Sequence, residues 1–205
     1  MTSAELTTAS GALYDLILSR RSVGRVLPDR PPRELIERLL DAACSAPNHH
    51  LTQPWRFVVV TGDARERVGQ KLEAALRRQL PETQSAPSVA LLAKERAKLL
   101  RAPVVLVLAV RPSDDPRVVP AEDVQAGAAA AQNVLLAAQS LGLGAMWRTG
   151  HTVHDPEVKR ELGLAPDDEV VGFIYLGYPD PTQPPPARPA RRPARDLTQW
   201  LGWEE

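Results

Sequence analysis

The chain has 205 residues, with 25 basic and 25 acidic side chains and a formal net charge of zero. Hydrophobic residues make up 43% and charged residues 24%, an ordinary folded-domain composition with room for a sizeable core. Such a balance gives no general attraction to nucleic acid or to an anionic membrane, and the single cysteine excludes an internal disulfide or a cysteine-cluster metal site.

Met1 to Ser10 is small and polar and reads as a flexible N-terminus. It carries neither the basic nor the apolar region of a secretory signal, and no apolar run approaches the ~20 residues that span a bilayer, so the cytoplasm is the expected compartment. Leu13, Leu16 and Ile17 share a helical face that ends near Ser19. Arg20 to Arg25 reads as a polar turn, and Pro28, Pro31 and Pro32 break the chain. Pro32 can start a helix whose apolar positions are Leu35, Ile36, Leu39, Leu40 and Ala43. Cys44 lies in the same run and reads as a small buried hydrophobe. A proline-bracketed corner ends this helix, and Trp55 to Val60 is a buried strand. Thr61-Gly62-Asp63 predicts a turn capping a helix over 64–79.

Residues 80–88 read as a loop, with a helix after it to about Leu100. Pro103 to Val110 is a second buried strand, and 111–120 is a loop. Glu122 to Leu141 is a helix with an interior of alanine, which suits close approach to another helix or to a partner copy. Gly142 and Gly144 stop it, Leu143 to Arg148 is a short strand, 155–162 a short helix, and Val170 to Leu176 the last strand. Four strands among about six helices make a layered α/β or α+β domain. From Pro179 to Pro193 there are seven prolines, followed by Leu197, Trp200, Leu201 and Trp203. That stretch cannot build a core of its own and reads either as an arm reaching another surface, such as a second subunit's, or as a disordered tail.

Three segments carry chemistry. Only Lys71, Lys94, Lys98 and Lys159 are lysines, and arginine is the residue that holds phosphate or carboxylate as a planar fork. Ser19-Arg20-Arg21-Ser22-Val23-Gly24-Arg25 gathers three arginines and two serines at a helix end, which points to an anion, most naturally a phosphate. The competing reading is a solvated basic turn. Met146-Trp147-Arg148-Thr149-Gly150 sets an arginine at the end of an apolar strand, where a rigid element can present it. The corner Ala46-Pro47-Asn48-His49-His50 offers backbone and ring groups to the edge of a planar heterocycle. His151 and His154 lack a third ligand at metal spacing, so no metal site is expected. The glycine-rich signatures of dinucleotide and nucleotide sites are missing.

Taken in order, Ser-Arg-Arg-Ser at 19–22, Ala-Pro-Asn-His-x-x-x-Gln-Pro-Trp-Arg-Phe at 46–57, Gly-Leu-Gly-Ala-Met-Trp-Arg-Thr-Gly at 142–150 and Val-Gly-Phe-Ile-Tyr-Leu-Gly-Tyr-Pro at 171–179 resemble the nitroreductase family of FMN-dependent oxidoreductases, in particular its short bacterial members. The resemblance covers roughly 13–179. It implies an α+β layered fold with a central, mainly antiparallel sheet flanked by helices. It also implies a flexible 1–10, an FMN-binding domain over 11–179, and a 180–205 arm packed on the partner of an embracing homodimer. FMN is the implied cofactor and NAD(P)H the implied reductant, with two flavins at the subunit interface.

The residue carry-over assigns Arg20, Arg21 and Ser22 to the flavin phosphate and the pyrimidine side of the ring. Trp147, Arg148 and Thr149 match the segment that closes the phosphate site. Pro47, Asn48 and His49 match the corner that lines the isoalloxazine from the other subunit, with Ser45 beside them, where some short members have arginine. Ala137, Ala138, Gln139, Ser140, Leu141 and Gly142 match a nicotinamide-contacting segment. No side chain is assigned a catalytic role, since flavin carries the chemistry: hydride passes from NAD(P)H to flavin N5, and an acceptor such as a nitroaromatic or quinone then takes the same place. Three alternatives stand beside this one. They are a non-catalytic flavin-binding or sensor protein, a dehalogenase or flavin-fragmenting enzyme on the same fold, and a structural dimer whose arginine turns are mere surface.

Overall fold

Every residue of β2 (Val104–Val110) is buried, and the molecule is built around it. The computed structural model describes residues 6–203. β1 (Trp55–Thr61) and β4 (Glu169–Gly177) flank β2, and β3 (Gly144–Arg148) lies outside β4, in the order β1-β2-β4-β3 with every pairing antiparallel. A strand buried on both faces reads as a continuous apolar run, and Val-Val-Leu-Val-Leu-Ala-Val is one. Val104, Leu106 and Leu108 turn to one helical layer, while Val105, Val107 and Ala109 turn to the other.

The first layer holds α2 (Arg33–Cys44) and α5 (Pro120–Ser140), which bury Ile36, Leu39, Ala43 and the alanine face Ala126, Ala130, Ala131 and Ala138 against the sheet. Small side chains let α5 sit close: a Cβ added at Gly127 would come within 2.6 Å of Val110 Cγ1. The second layer holds α3 (Ala64–Gln79) and α6 (Pro156–Glu161), with Val68, Leu72, Ala75 and Val158 inward. α4 (Ala86–Arg96) crosses α3, and α1 (Leu6–Ser19) meets the C-terminal end of α5. The architecture is α+β with a helix-flanked antiparallel sheet, as the sequence led us to expect.

Several local expectations are corrected. Residues 80–88 are not all loop. Ser85 accepts a hydrogen bond from Ser88 N and α4 starts at Ala86, with Pro87 in the first turn, where a missing N–H costs nothing. That α-helix stops at Arg96, and Ala97–Arg101 continues as a tighter 3-10 segment. Asp63 precedes α3 but makes no side-chain capping bond. Cys44 is exposed, because the inward position on that turn belongs to Ala43. The apolar face of α1 is uncovered in the single chain: Leu13, Tyr14, Ile17 and Leu18 are all exposed. α1 begins at Leu6, inside the stretch read as flexible, and the expectation for residues 1–5 lies outside the described residues. No helix among the described residues is long and apolar enough to cross a membrane.

Candidate active site

α5 organises the chemistry-bearing segments from its two ends. At its C-terminus, Gly142 adopts a left-handed φ of 74° and Leu143 N donates back to Ala138 O at 2.8 Å, a glycine-dependent stop. One turn earlier, Gln139 Nε2 donates to Ser19 Oγ at 2.8 Å and to Leu16 O at 3.5 Å, which pins the end of α1 and the arginine turn after it. Arg21 folds back on the last carbonyls of α1, donating to Leu18 O and Arg20 O. Arg20, Arg21 and Ser22 then line a cavity of about 450 Å³ together with Arg188 and Arg191 of the C-terminal arm.

No carboxylate is among the described residues lining that cavity. Burial, then the like charges of Arg21 and Arg191, pull the Arg20 guanidinium below its ordinary pKa. A guanidinium crowded by like charges is unfavourable unless an anion joins them, so the donor set fits a phosphate group. Arg188 and Arg191 escaped the sequence reading. Their signal was there, in the arginine-rich run that follows the last strand, but only the fold brings residue 188 beside residue 20.

At the other end of α5 stands the corner. Glu122 reaches back to Val119 N and also accepts from or shares a proton with His49 Nδ1 at 2.9 Å. The bond to His49 holds the Glu122 carboxyl below the usual range. The neighbouring Asp123 is buried and accepts from Thr52 Oγ1 and Ser113 N, each at 2.8 Å. Between these anchors His50, Leu51 and Gln53 take positive φ values of 53°, 52° and 46°, while Asn48 Oδ1 accepts from Gln53 N. Three non-glycine residues in that region within four positions mark a loop held in a strained shape by its surroundings. The His49 and His50 rings lie 4.1 Å apart on its outer surface. Pro47 is exposed at the same corner, whereas Ser45 Oγ turns away to cap α2 through Asp41 O.

The remaining assigned residues are dispersed. Trp147 donates to Val171 O and packs over Gly172 toward the α5 layer, so its indole is structural. Thr149 is exposed. Arg148 points to the opposite face of the sheet and lines a separate, smaller cavity; it shares none with Arg20. In the segment 137–142, Ala138 is fully buried, Ser140 Oγ bonds Ala137 O, and Gln139 serves the arginine turn. Between Glu122 and Gln139 the helix runs about 25 Å, at ~1.5 Å per residue, so corner and arginine turn sit at opposite ends of the same chain. Among the described residues no three His, Cys, Asp or Glu side chains gather as metal ligands would.

A helix-flanked antiparallel sheet with a carboxylate-free arginine cavity defines an α+β protein suited to a phosphorylated ligand. The chain belongs to the nitroreductase family, whose sequence model matches residues 17–178. It is 30% identical over 165 residues to YdjA of Escherichia coli (strain K12), a candidate NAD(P)H nitroreductase, covering 80% of this chain and 87% of that one. It is 28% identical over 204 residues to the nitrobenzene nitroreductase of Ectopseudomonas oleovorans, covering 83% and 88%. Among solved structures, a nitroreductase-like protein of Bacillus cereus superposes with a TM-score of 0.77 at 27% identity, over 93% of this chain and 96% of that one. A candidate nitroreductase of Desulfovibrio desulfuricans, solved in complex with FMN, gives 0.68 at 25% identity over 94% and 98%.

Proposed function

We propose that the protein is an FMN-dependent NAD(P)H oxidoreductase that works as a homodimer and reduces a small organic acceptor of the nitroaromatic or quinone type. One observation carries the reading: the arginine turn and the corner stand about 25 Å apart along α5. That separation exceeds the span of one flavin mononucleotide. A second copy packed through the exposed Leu13, Tyr14, Ile17 and Leu18 face of α1 brings its corner to the first copy's arginine turn. A contiguous exposed apolar face of this kind marks an interaction surface.

When bound, the flavin supplies the redox chemistry, taking electrons from NAD(P)H and giving them to the acceptor. Arg20, Arg21 and Ser22, joined by Arg188 and Arg191 of the arm, neutralise and orient its phosphate. The backbone of Trp147 to Thr149 borders the ring, and the partner's Pro47, Asn48 and His49 form its other wall. The partner's Glu122 orients that His49 through Nδ1, leaving Nε2 toward the acceptor. The segment from Ala137 to Gly142 offers its exposed backbone to the nicotinamide. The 180–205 arm, with Leu197, Trp200, Leu201 and Trp203 exposed, closes on the partner's surface.

The test is direct. The purified protein is expected to be yellow, to bleach with NADH or NADPH in the absence of oxygen, and to regain colour with a nitroaromatic or a quinone. Arg20→Glu places an acid beside the phosphate, and such a variant is expected to purify colourless while remaining folded. Wild-type protein that takes up no FMN sinks the proposal. Flavin that dithionite reduces but neither nicotinamide does makes the protein a flavin binder without this activity.

A further inference from the structure

Tyr175, on β4, is only 5% exposed, and its hydroxyl has no hydrogen-bond partner among the described residues. Buried hydroxyls are normally satisfied, so an orphan of this kind calls for a ligand or a role. Its ring sits beside Met146, its cross-strand neighbour, under the segment that follows the arginine turn. Here the fold encloses a cavity of about 110 Å³. Its polar lining is Tyr175, Arg148 from the end of β3 and Arg101 from the 3-10 segment ahead of β2; Val23 and Gly24 form its roof. Gly24 keeps that roof low, because a Cβ there would meet the tip of Met146 at 2.5 Å.

The polar side chains that line this space can all donate hydrogen bonds. Burial pushes the Tyr175 phenol up to about 12, so at neutral pH it carries its proton; the nearby Arg148 and Arg101 charges oppose that rise and Glu95 adds to it. No acid is among the described residues lining the cavity, and Glu95, whose charge reaches Tyr175, is engaged by Lys98 Nζ at 2.9 Å and Thr152 Oγ1 at 2.7 Å. Neither Arg101 nor Arg148 has a carboxylate partner among the described residues. Two guanidinium groups and a phenol O–H, with no carboxylate among them, are complementary to a small oxyanion. The volume is below that of pockets for nucleotide-sized ligands.

We propose that this cavity is a second anion site, holding one phosphate-type group between Arg148, Arg101 and the Tyr175 hydroxyl. It shares no lining residue with the Arg20 cavity, so it stands apart from the flavin reading and can fail without it. Its roof is continuous with Ser22, so an occupant here orders the strand of chain that leaves the arginine turn. The phosphate comes free from solution.

The experiment is calorimetric titration of inorganic phosphate into the full-length protein at constant ionic strength, with chloride as control, both as purified and saturated with FMN. With FMN filling the Arg20 cavity, one saturable phosphate site per chain is expected in wild type. Arg101→Gln and Tyr175→Phe are each expected to weaken it about tenfold, the loss of one charge-assisted or buried hydrogen bond. In phosphate-free buffer Tyr175→Phe is expected to melt no lower than wild type, which separates loss of the site from loss of the fold. Binding that persists with FMN present assigns the site to free phosphate. Displacement by FMN but not by riboflavin places the phosphate in the Arg20 cavity and overturns the proposal. The absence of saturable phosphate binding in both forms, or binding unchanged in both variants, overturns the proposal.

Discussion

At the scale of single residues, the protein separates charges that hold the fold from charges that await a ligand. Arg111 and Asp168 belong to the first kind: Asp168 is fully buried, receives both ends of the Arg111 guanidinium at 2.8 and 3.0 Å, and also accepts from Ala165 N. Burial pushes the Asp168 carboxyl up, but these bonds outweigh it and leave the pKa below the ordinary value. A carboxyl lowered in the folded state stabilises fully above its unfolded pKa of about 3.9 and loses that contribution as pH falls through the folded value. Arg111→Ala strands a buried carboxylate and is expected to cost about 2 kcal/mol at pH 7. In that variant the folded pKa rises instead, so the gap to wild type should close as pH falls through the carboxylate range. Urea midpoints from pH 7 to pH 4 check both the size and the closing. The second kind is Arg20, depressed by burial and then by its like-charged neighbours, and Arg148, which lines the cavity of an orphan phenol. The spacing of the arginines was legible in the sequence; the cavity that each one faces was not, because a side chain's face depends on strand register. Trp147 and Arg148 are adjacent, yet they serve opposite sides of the sheet.

At the scale of elements, the helices were legible wherever the apolar period was strong. The bounds of α3 came out as read, and α5 starts two residues before and ends one residue before the reading of Glu122 to Leu141. Short-range chemistry explains the misses. A serine-proline start turned an apparent loop into the first turn of α4, and a buried alanine displaced Cys44 outward. Close approach between elements is equally invisible in a single segment. At Gly69, α3 passes so near α4 that an added Cβ would collide with the Arg96 carbonyl oxygen. Backbone on both sides leaves no flexible group to give way, so Gly69→Ala is expected to destabilise by about 2 kcal/mol. Denaturant unfolding checks this; the arginine turn and the corner proposed to hold flavin lie on other elements, so the yellow colour expected of the folded fraction should survive.

At the scale of the whole molecule, the question is where one active site ends and the next chain begins. A site made from one chain's arginine turn and another chain's corner gives a strict complementation rule. Arg20→Glu spoils the first half and Asn48→Ala, which frees the strained loop from its anchor at Gln53 N, weakens the second. Mixed dimers of the two variants contain one doubly altered site and one intact site. They are therefore expected to recover up to half of the wild-type activity, while each variant alone stays low. No recovery in verified mixed dimers would mean that both halves come from a single chain.

The sequence by itself determined most of the elements, the continuous apolar run that buries β2 on both faces, and the order of basic and corner segments along the chain. Periodicity and turn chemistry act over a few residues, so a few residues suffice to read them. Tertiary structure alone decided that Gln139 pins the arginine turn, that Arg188 and Arg191 join it from the arm, and that Arg148 belongs to a different cavity. Those pairings join positions up to about 170 residues apart, and what sets them is the packing of α5 along the sheet, a property of no local segment.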